Sequence, residues 1–134
     1  MSDHFKKMHQ LACEARENAH VPYLNFKVGV CIRTPDNHFF TGCNFQNSSL
    51  PLGQCAEPTA IGSMITGGYQ EIAEVVIVAN SETTCAPCGG CRQQLSEFAK
   101  PDTPIHLCDL SGVREMLTMK ELLPASFSAS TMRK

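Results

Sequence analysis

The sequence has no excess of basic residues and no long apolar run. Eleven lysines and arginines stand against thirteen aspartates and glutamates, which gives a net charge of -2. That balance does not favour binding to long nucleic acid or to an acidic membrane surface. No stretch reaches the roughly 18 apolar residues that mark a membrane-spanning helix, and the first ten residues are mostly polar or charged. We therefore expect a cytoplasmic protein.

The sequence also lacks internal repeats and low-complexity tracts. Its 134 residues are 43% hydrophobic, enough to bury a core without a second domain. We predict one domain over residues 1–134. Apolar periodicity predicts a helix over 3–19, a hairpin of strands over 26–33 and 38–42, helices that begin near Cys55 and Cys88, and strands over 75–79 and 105–108. This order favours a mixed sheet covered by helices.

The eight cysteines show a pattern that is typical of a metal site. A disulfide framework is not favoured, because the sequence shows no export signal. Cys88 and Cys91 are three residues apart at a predicted helix start, a spacing that lets two sulfurs reach one ion. This pair alone could equally be a redox dithiol. The separate segment Cys55-Ala56-Glu57 supplies a third thiol at another predicted helix start.

Three thiolates would leave one position of a tetrahedral zinc ion open to water, which is typical of a catalytic site. The partial positive charge at a helix amino terminus favours the thiolate form of each ligand. Cys85, three residues before Cys88, could instead complete the set and close the site. The sequence leaves both readings open.

These residues resemble the zinc-dependent nucleoside deaminases, in particular the small homotetrameric cytidine deaminases. The resemblance rests on Cys-Ala-Glu at 55–57 and on Pro-Cys-Gly-Gly-Cys-Arg-Gln at 87–93. It extends to Pro22, Tyr23, Phe26, Val28, Gly29, Gly42, Asn44, Asn47, Pro51, Leu122, Leu123, Pro124 and Phe127. It implies a three-layer α-β-α fold with a five-stranded mixed sheet between helices, and a homotetramer with its active sites at subunit interfaces.

The resemblance also implies a reaction and a set of residue roles. Cytidine or deoxycytidine would be hydrolysed to the uridine product and ammonia, as in pyrimidine salvage. Cys55, Cys88 and Cys91 would hold one zinc ion per subunit. Glu57 would move protons between the zinc-bound water and the base. The substrate-binding residues implied are Phe26, Asn44, Gln46, Ala56 and Phe127, the last from a neighbouring subunit.

Three positions depart from the commonest pattern of that family. Gln46 stands where glutamate is usual, Pro58 where many relatives have arginine, and Leu50 where tyrosine is frequent. These changes keep two alternatives open. One is a deaminase of another nucleoside or aminopyrimidine, such as a blasticidin-like antibiotic. The other is a catalytically silent, zinc-stabilised binding protein, against which the presence of Glu57 argues.

Overall fold

The computed structural model describes residues 2–132 and forms one sheet with helices around it. Its helices are α1 (Phe5–Glu17), α2 (Ala56–Thr66), α3 (Gly89–Phe98) and the short α4 (Met119–Leu122). Its strands are β1 (Val28–Arg33), β2 (Phe39–Cys43), β3 (Glu74–Ala79), β4 (Pro104–Asp109) and β5 (Gly112–Thr118). Short 3-10 turns cover Leu50–Leu52 and Ala129–Thr131.

The five strands lie in the order β2-β1-β3-β4-β5. β3 and β4 are parallel, and the other three neighbouring pairs are antiparallel. The parallel pair requires a crossover connection, and α3 supplies it. The sheet is therefore mixed, as predicted, and the crossover carries the segment with Cys88 and Cys91.

Helices cover both faces of the sheet. α1 packs through Met8 and Ala12 on one face, whereas α2 and α3 cover the other face. Successive strand residues point to opposite faces, so neighbours in the sequence enter different cores. Cys31, Val76, Val78 and Cys108 face α1, while Val30, Ile32, Val75, Ile77, Ile105 and Leu107 face α2 and α3. The predicted three-layer fold is confirmed.

A glycine on β2 lets α2 lie close to the sheet. A Cβ atom at Gly42 would collide with the backbone of Ala56 and Ala60 in the first turns of α2. Any other residue here would push the start of α2 away from β2. Since Cys55 and Glu57 flank Ala56, this close approach helps to fix the part of the chain where site residues are expected.

In residues 2–132, no helix has both the length and the apolar character needed to cross a membrane.

Glu74 lies fully buried on the α1 face and carries a polar network there. Its carboxylate accepts hydrogen bonds from Ser2 Oγ at 2.6 Å and Arg33 Nε at 3.1 Å, and it lies 2.7 Å from His106 Nε2. Burial acts to raise the pKa of Glu74, but the hydrogen bonds from His106, Ser2 and Arg33 outweigh it and lower the pKa to about 2. The network ties Ser2 to β1, β3 and β4.

Glu74→Gln should lower the free energy of unfolding by about 3 kcal/mol, because it leaves the partly buried Arg33 without its counter-charge. Glu71→Gln is the control, since Glu71 pairs with Lys100 at 3.6 Å on the exposed surface, and its loss should cost less than about 1 kcal/mol. Urea unfolding measures both free energies, and equal stabilities for the two variants would contradict this account.

The contribution of Glu74 to stability should also depend on pH. Because the pKa of Glu74 is lowered in the folded protein, the carboxylate stabilises the fold fully above its ordinary pKa of 4.5, and this contribution is lost as pH falls toward about 2.

Candidate active site

Two cysteines immediately precede the two helices of the same face. Cys55 is the residue before α2 and Cys88 the residue before α3, and both have an extended backbone. Cys91 lies in the first turn of α3 and is buried. Free backbone N–H groups gather at such helix starts, so this region carries partial positive charge.

The three cysteine sulfurs converge. The sulfurs of Cys55, Cys88 and Cys91 all lie within 4.8 Å of one another, and those of Cys88 and Cys91 are 3.3 Å apart. Two sulfurs that each lie about 2.3 Å from one tetrahedral zinc ion are about 3.8 Å apart. The observed spacing fits that ion, and a set of three thiolates is a soft donor set of the kind that zinc accepts. Cys85 does not belong to this group.

The protonation of the three thiols differs. Burial raises the pKa of Cys55 and of Cys91. The pKa of Cys88 is lowered, first by the backbone N–H of Cys91 and then by the Cys91 thiol. The helix position thus favours the thiolate at Cys88 but does not by itself ionise all three sulfurs. A cation held by Cys55, Cys88 and Cys91 would supply the positive charge that a set of three thiolates requires.

Glu57 lies in the first turn of α2, two residues after Cys55, and is only 4% exposed. Burial raises its pKa above the ordinary range, and hydrogen bonds from its own backbone N–H and the Cys91 thiol only partly oppose that rise. A carboxyl group with a raised pKa holds a proton more readily than an exposed carboxyl group does, as a group that carries a proton between two reactants must. The environment of Glu57 is therefore suited to proton transfer.

A cavity of about 230 Å³ opens in front of the three sulfurs and Glu57. Its walls come from the strand entry at 26–28, from the start of α2 and from the loop before α3. The lining residues are Phe26, Val28, Asn44, Cys55, Ala56, Glu57, Ile77, Cys85, Ala86, Pro87, Cys88 and Cys91. Small apolar walls with a few converging polar groups are typical of a small-molecule site.

Three of the five predicted substrate residues line this cavity: Phe26, Asn44 and Ala56. Phe26 is 42% exposed at the cavity, whereas Ala56 is fully buried. The Asn44 side chain holds the strand entry, since Oδ1 accepts from Val28 N at 2.9 Å and Nδ2 donates to Phe26 O at 2.8 Å. Asn44 therefore fixes the backbone beside the cavity as well as lining it.

The other two predicted substrate residues lie outside this cavity. Gln46 lines an adjoining groove that shares Asn44 and Cys55 with the cavity, and its amide is hydrogen bonded to the backbone of Tyr23 and Leu24. Phe127 is 59% exposed, and its carbonyl accepts a hydrogen bond from Gln93 in α3. Its ring does not enter the cavity of its own chain, so its predicted contact with substrate stays a prediction about a neighbouring subunit.

The structure adds a residue to which sequence reasoning gave no role. Arg92 Nε donates to Pro87 O at 2.9 Å, and Arg92 Nη1 donates to Leu122 O at 2.7 Å. It thereby fixes the loop before Cys88 against the end of α4. The only signal in the sequence was a basic residue directly after Cys91, which does not indicate a backbone partner about 30 residues away.

Comparisons with known proteins agree with this geometry. Residues 2–107 match the family model described as the cytidine and deoxycytidylate deaminase zinc-binding region, which includes Cys55, Glu57, Cys88 and Cys91. A cytidine deaminase of Halalkalibacterium halodurans is 37% identical over 121 residues, which cover 90% of this chain and 92% of that protein. One of Sporosarcina psychrophila is 38% identical over 86% of this chain and 85% of that protein.

A crystal structure of cytidine deaminase from Burkholderia pseudomallei superposes with a TM-score of 0.86 at 38% identity. It covers 95% of this chain and 100% of the other. The likeness therefore includes the complete sheet and the helices on both faces, and the zinc cofactor implied by the family model meets a fitting set of three sulfurs. The chain belongs to the cytidine and deoxycytidylate deaminase family.

Proposed function

We propose that this chain catalyses hydrolytic deamination of cytidine or deoxycytidine to uridine or deoxyuridine and ammonia. The observation that carries the proposal is the position of Glu57, which is buried beside three converging sulfurs at the wall of a cavity. The family membership and the cytidine deaminases among its relatives support the same reaction. Substrate and water would meet in that cavity.

In this proposal Cys55, Cys88 and Cys91 hold one zinc ion and leave one position open. Bound there, the ion supplies a Lewis acid that makes hydroxide available near neutral pH. The loop that Arg92 fixes and the close packing of α2 on Gly42 keep the two helix starts, and hence the three sulfurs, in place.

Glu57 moves the protons. Its carboxylate takes a proton from the attacking water, whose oxygen forms the new bond to C4 of the pyrimidine ring. Glu57 passes this proton to N3, then takes the second proton from the new C4 hydroxyl and gives it to the amino group. As the C4–N bond breaks, the C4 carbonyl forms and ammonia leaves. Its raised pKa suits a group that is protonated and deprotonated in each cycle.

The cavity also presents groups for the substrate. We propose that the ring of Phe26 packs on the face of the base, that the backbone of Ala56 binds its polar edge, and that Asn44 lies on the sugar side, with Gln46 beside it in the adjoining groove. Ala56 is the first residue of α2, where a backbone N–H has no partner within the helix. Aromatic faces and free backbone donors both suit a flat, polar base.

Glu57→Gln should lower kcat by about 100-fold to 10,000-fold while the protein keeps one zinc per chain, because the amide cannot carry the proton. Glu97→Gln, an exposed glutamate on α3, is the matched control and should leave kcat unchanged. Ultraviolet absorbance and released ammonia measure turnover of cytidine and deoxycytidine.

A Glu57→Gln variant that retains wild-type kcat would refute the role of Glu57. A zinc-loaded wild type that converts neither nucleoside would refute the proposed substrate. It would favour another aminopyrimidine nucleoside if a panel of such compounds contained a substrate, and a binding protein without catalysis if the panel contained none.

We further propose a homotetramer whose active sites are shared between subunits. Several large apolar side chains outside the strands and α-helices are exposed, among them Leu24 (73%), Leu50 (69%), Leu52 (67%) and Phe127 (59%). Such exposed apolar groups are typical of a subunit interface. We also propose one catalytic domain in the cytoplasm, where the thiols of the metal site stay reduced.

Complementation between inactive variants tests the shared site. Glu57→Gln and Phe127→Ala should each be impaired alone, whereas co-expression in equal amounts should restore about a quarter of wild-type activity, since a quarter of the sites combine both intact residues. Glu57→Gln with Phe26→Ala is the matched control. Phe26 lines the same cavity as Glu57 of its own chain, so that mixture should restore nothing. No recovery in the Phe127 mixture would place Phe127 outside the shared site.

A further inference from the structure

The Gln46 side chain forms three hydrogen bonds to the backbone of two consecutive residues. Its Oε1 accepts from Tyr23 N at 2.9 Å and from Leu24 N at 3.1 Å, and its Nε2 donates to Leu24 O at 3.3 Å. Both lone pairs of Oε1 are therefore occupied by the loop. The two bonds to Oε1 are the shorter ones, so the acceptor function of Gln46 dominates the contact.

The residues that Gln46 holds lead directly to Phe26. Tyr23 and Leu24 are 53% and 73% exposed, so little burial restrains them. Leu24 O also accepts from Phe26 N, and Phe26 O accepts from Asn44 Nδ2 at 2.8 Å. Gln46 thus holds the first half of the segment 23–26, and Asn44 holds its last residue. That last residue, Phe26, forms part of the cavity wall. The Tyr23 hydroxyl adds a bond of 2.7 Å with Ser48 Oγ.

We propose that Gln46 is a positioning residue: its amide oxygen clamps the Tyr23–Leu24 backbone and so sets the place of Phe26 at the cavity before substrate arrives. This inference rests on the proposed function. A segment that is already ordered loses less conformational entropy when the substrate binds, so the clamp acts on binding and leaves the proton transfers of Glu57 unaffected. Its loss should raise KM and leave kcat nearly unchanged.

Two substitutions separate the clamp from a general packing role. Gln46→Ala removes all three hydrogen bonds. Gln46→Glu keeps an acceptor for Tyr23 N and Leu24 N and loses only the longer bond to Leu24 O. Glutamate should therefore restore the clamp that alanine abolishes. Gln70→Ala, which changes an exposed glutamine away from the cavity, is the matched control.

Amide hydrogen exchange tests the clamp without substrate. In the wild type and Gln46→Glu, the amides of Tyr23 and Leu24 should exchange about tenfold more slowly than in Gln46→Ala, because only an accepted N–H is protected. Equal exchange at both amides in all three proteins would overturn the clamp. This measurement is independent of turnover, so it still decides the matter if cytidine proves not to be the substrate.

Kinetics with cytidine test the link to Phe26. Gln46→Ala should raise KM about fivefold to tenfold with kcat within about twofold of wild type, and Gln46→Glu should lie within about threefold in both constants. In a Phe26→Ala background, Gln46→Ala should change KM less than about twofold, because a residue that acts through Phe26 has nothing left to position. If the increase in KM of the double variant equalled the product of the increases in the two single variants, the inference would be overturned. Gln46 would then contact the substrate directly and independently of Phe26.

Discussion

The first turns of α2 and α3 lie close together, and each helix is preceded by a cysteine. Cys55 before α2 and Cys88 before α3 bring their sulfurs, with that of Cys91, within 4.8 Å of one another. The chemistry proposed here depends on that meeting, because three sulfurs at this spacing fit one zinc ion with an open position. Glu57, in the first turn of α2, lines the same cavity.

The sheet makes this meeting possible. The parallel pair of β3 and β4 forces the crossover through α3, which carries Cys88 and Cys91 over the same face as α2. Gly42 lets α2 approach β2, and Arg92 fixes the loop before Cys88. On the opposite face, α1 and the buried carboxylate of Glu74 hold the sheet together. One face thus carries the site and the other contributes to the stability that supports it.

Local patterns in the sequence were sufficient to predict most of this fold. The helix starts after Cys55 and Cys88, the hairpin and the buried β3 all follow from periodicity and turn residues. The same patterns missed α4, which is only four residues long, and placed the ends of α1 two residues too far out. The network of Glu74 was also missed, because its partners Ser2, Arg33 and His106 lie far apart in the sequence and meet only when the strands pair.

The site was predictable in its reacting groups and less so in its surroundings. Cys55, Glu57, Cys88 and Cys91 stand in two short motifs, and three of the predicted substrate residues, Phe26, Asn44 and Ala56, line the cavity. The hydrogen bonds of Gln46 to a backbone 22 residues away leave no trace in spacing or composition.

The most direct test of the account is X-ray absorption at the zinc edge of the purified protein. We expect three sulfur neighbours at about 2.3 Å and one oxygen or nitrogen neighbour, because Cys85 stays outside the ligand group and the fourth position is open. Four sulfur neighbours would mean a closed, structural site and would contradict the catalytic role proposed for it.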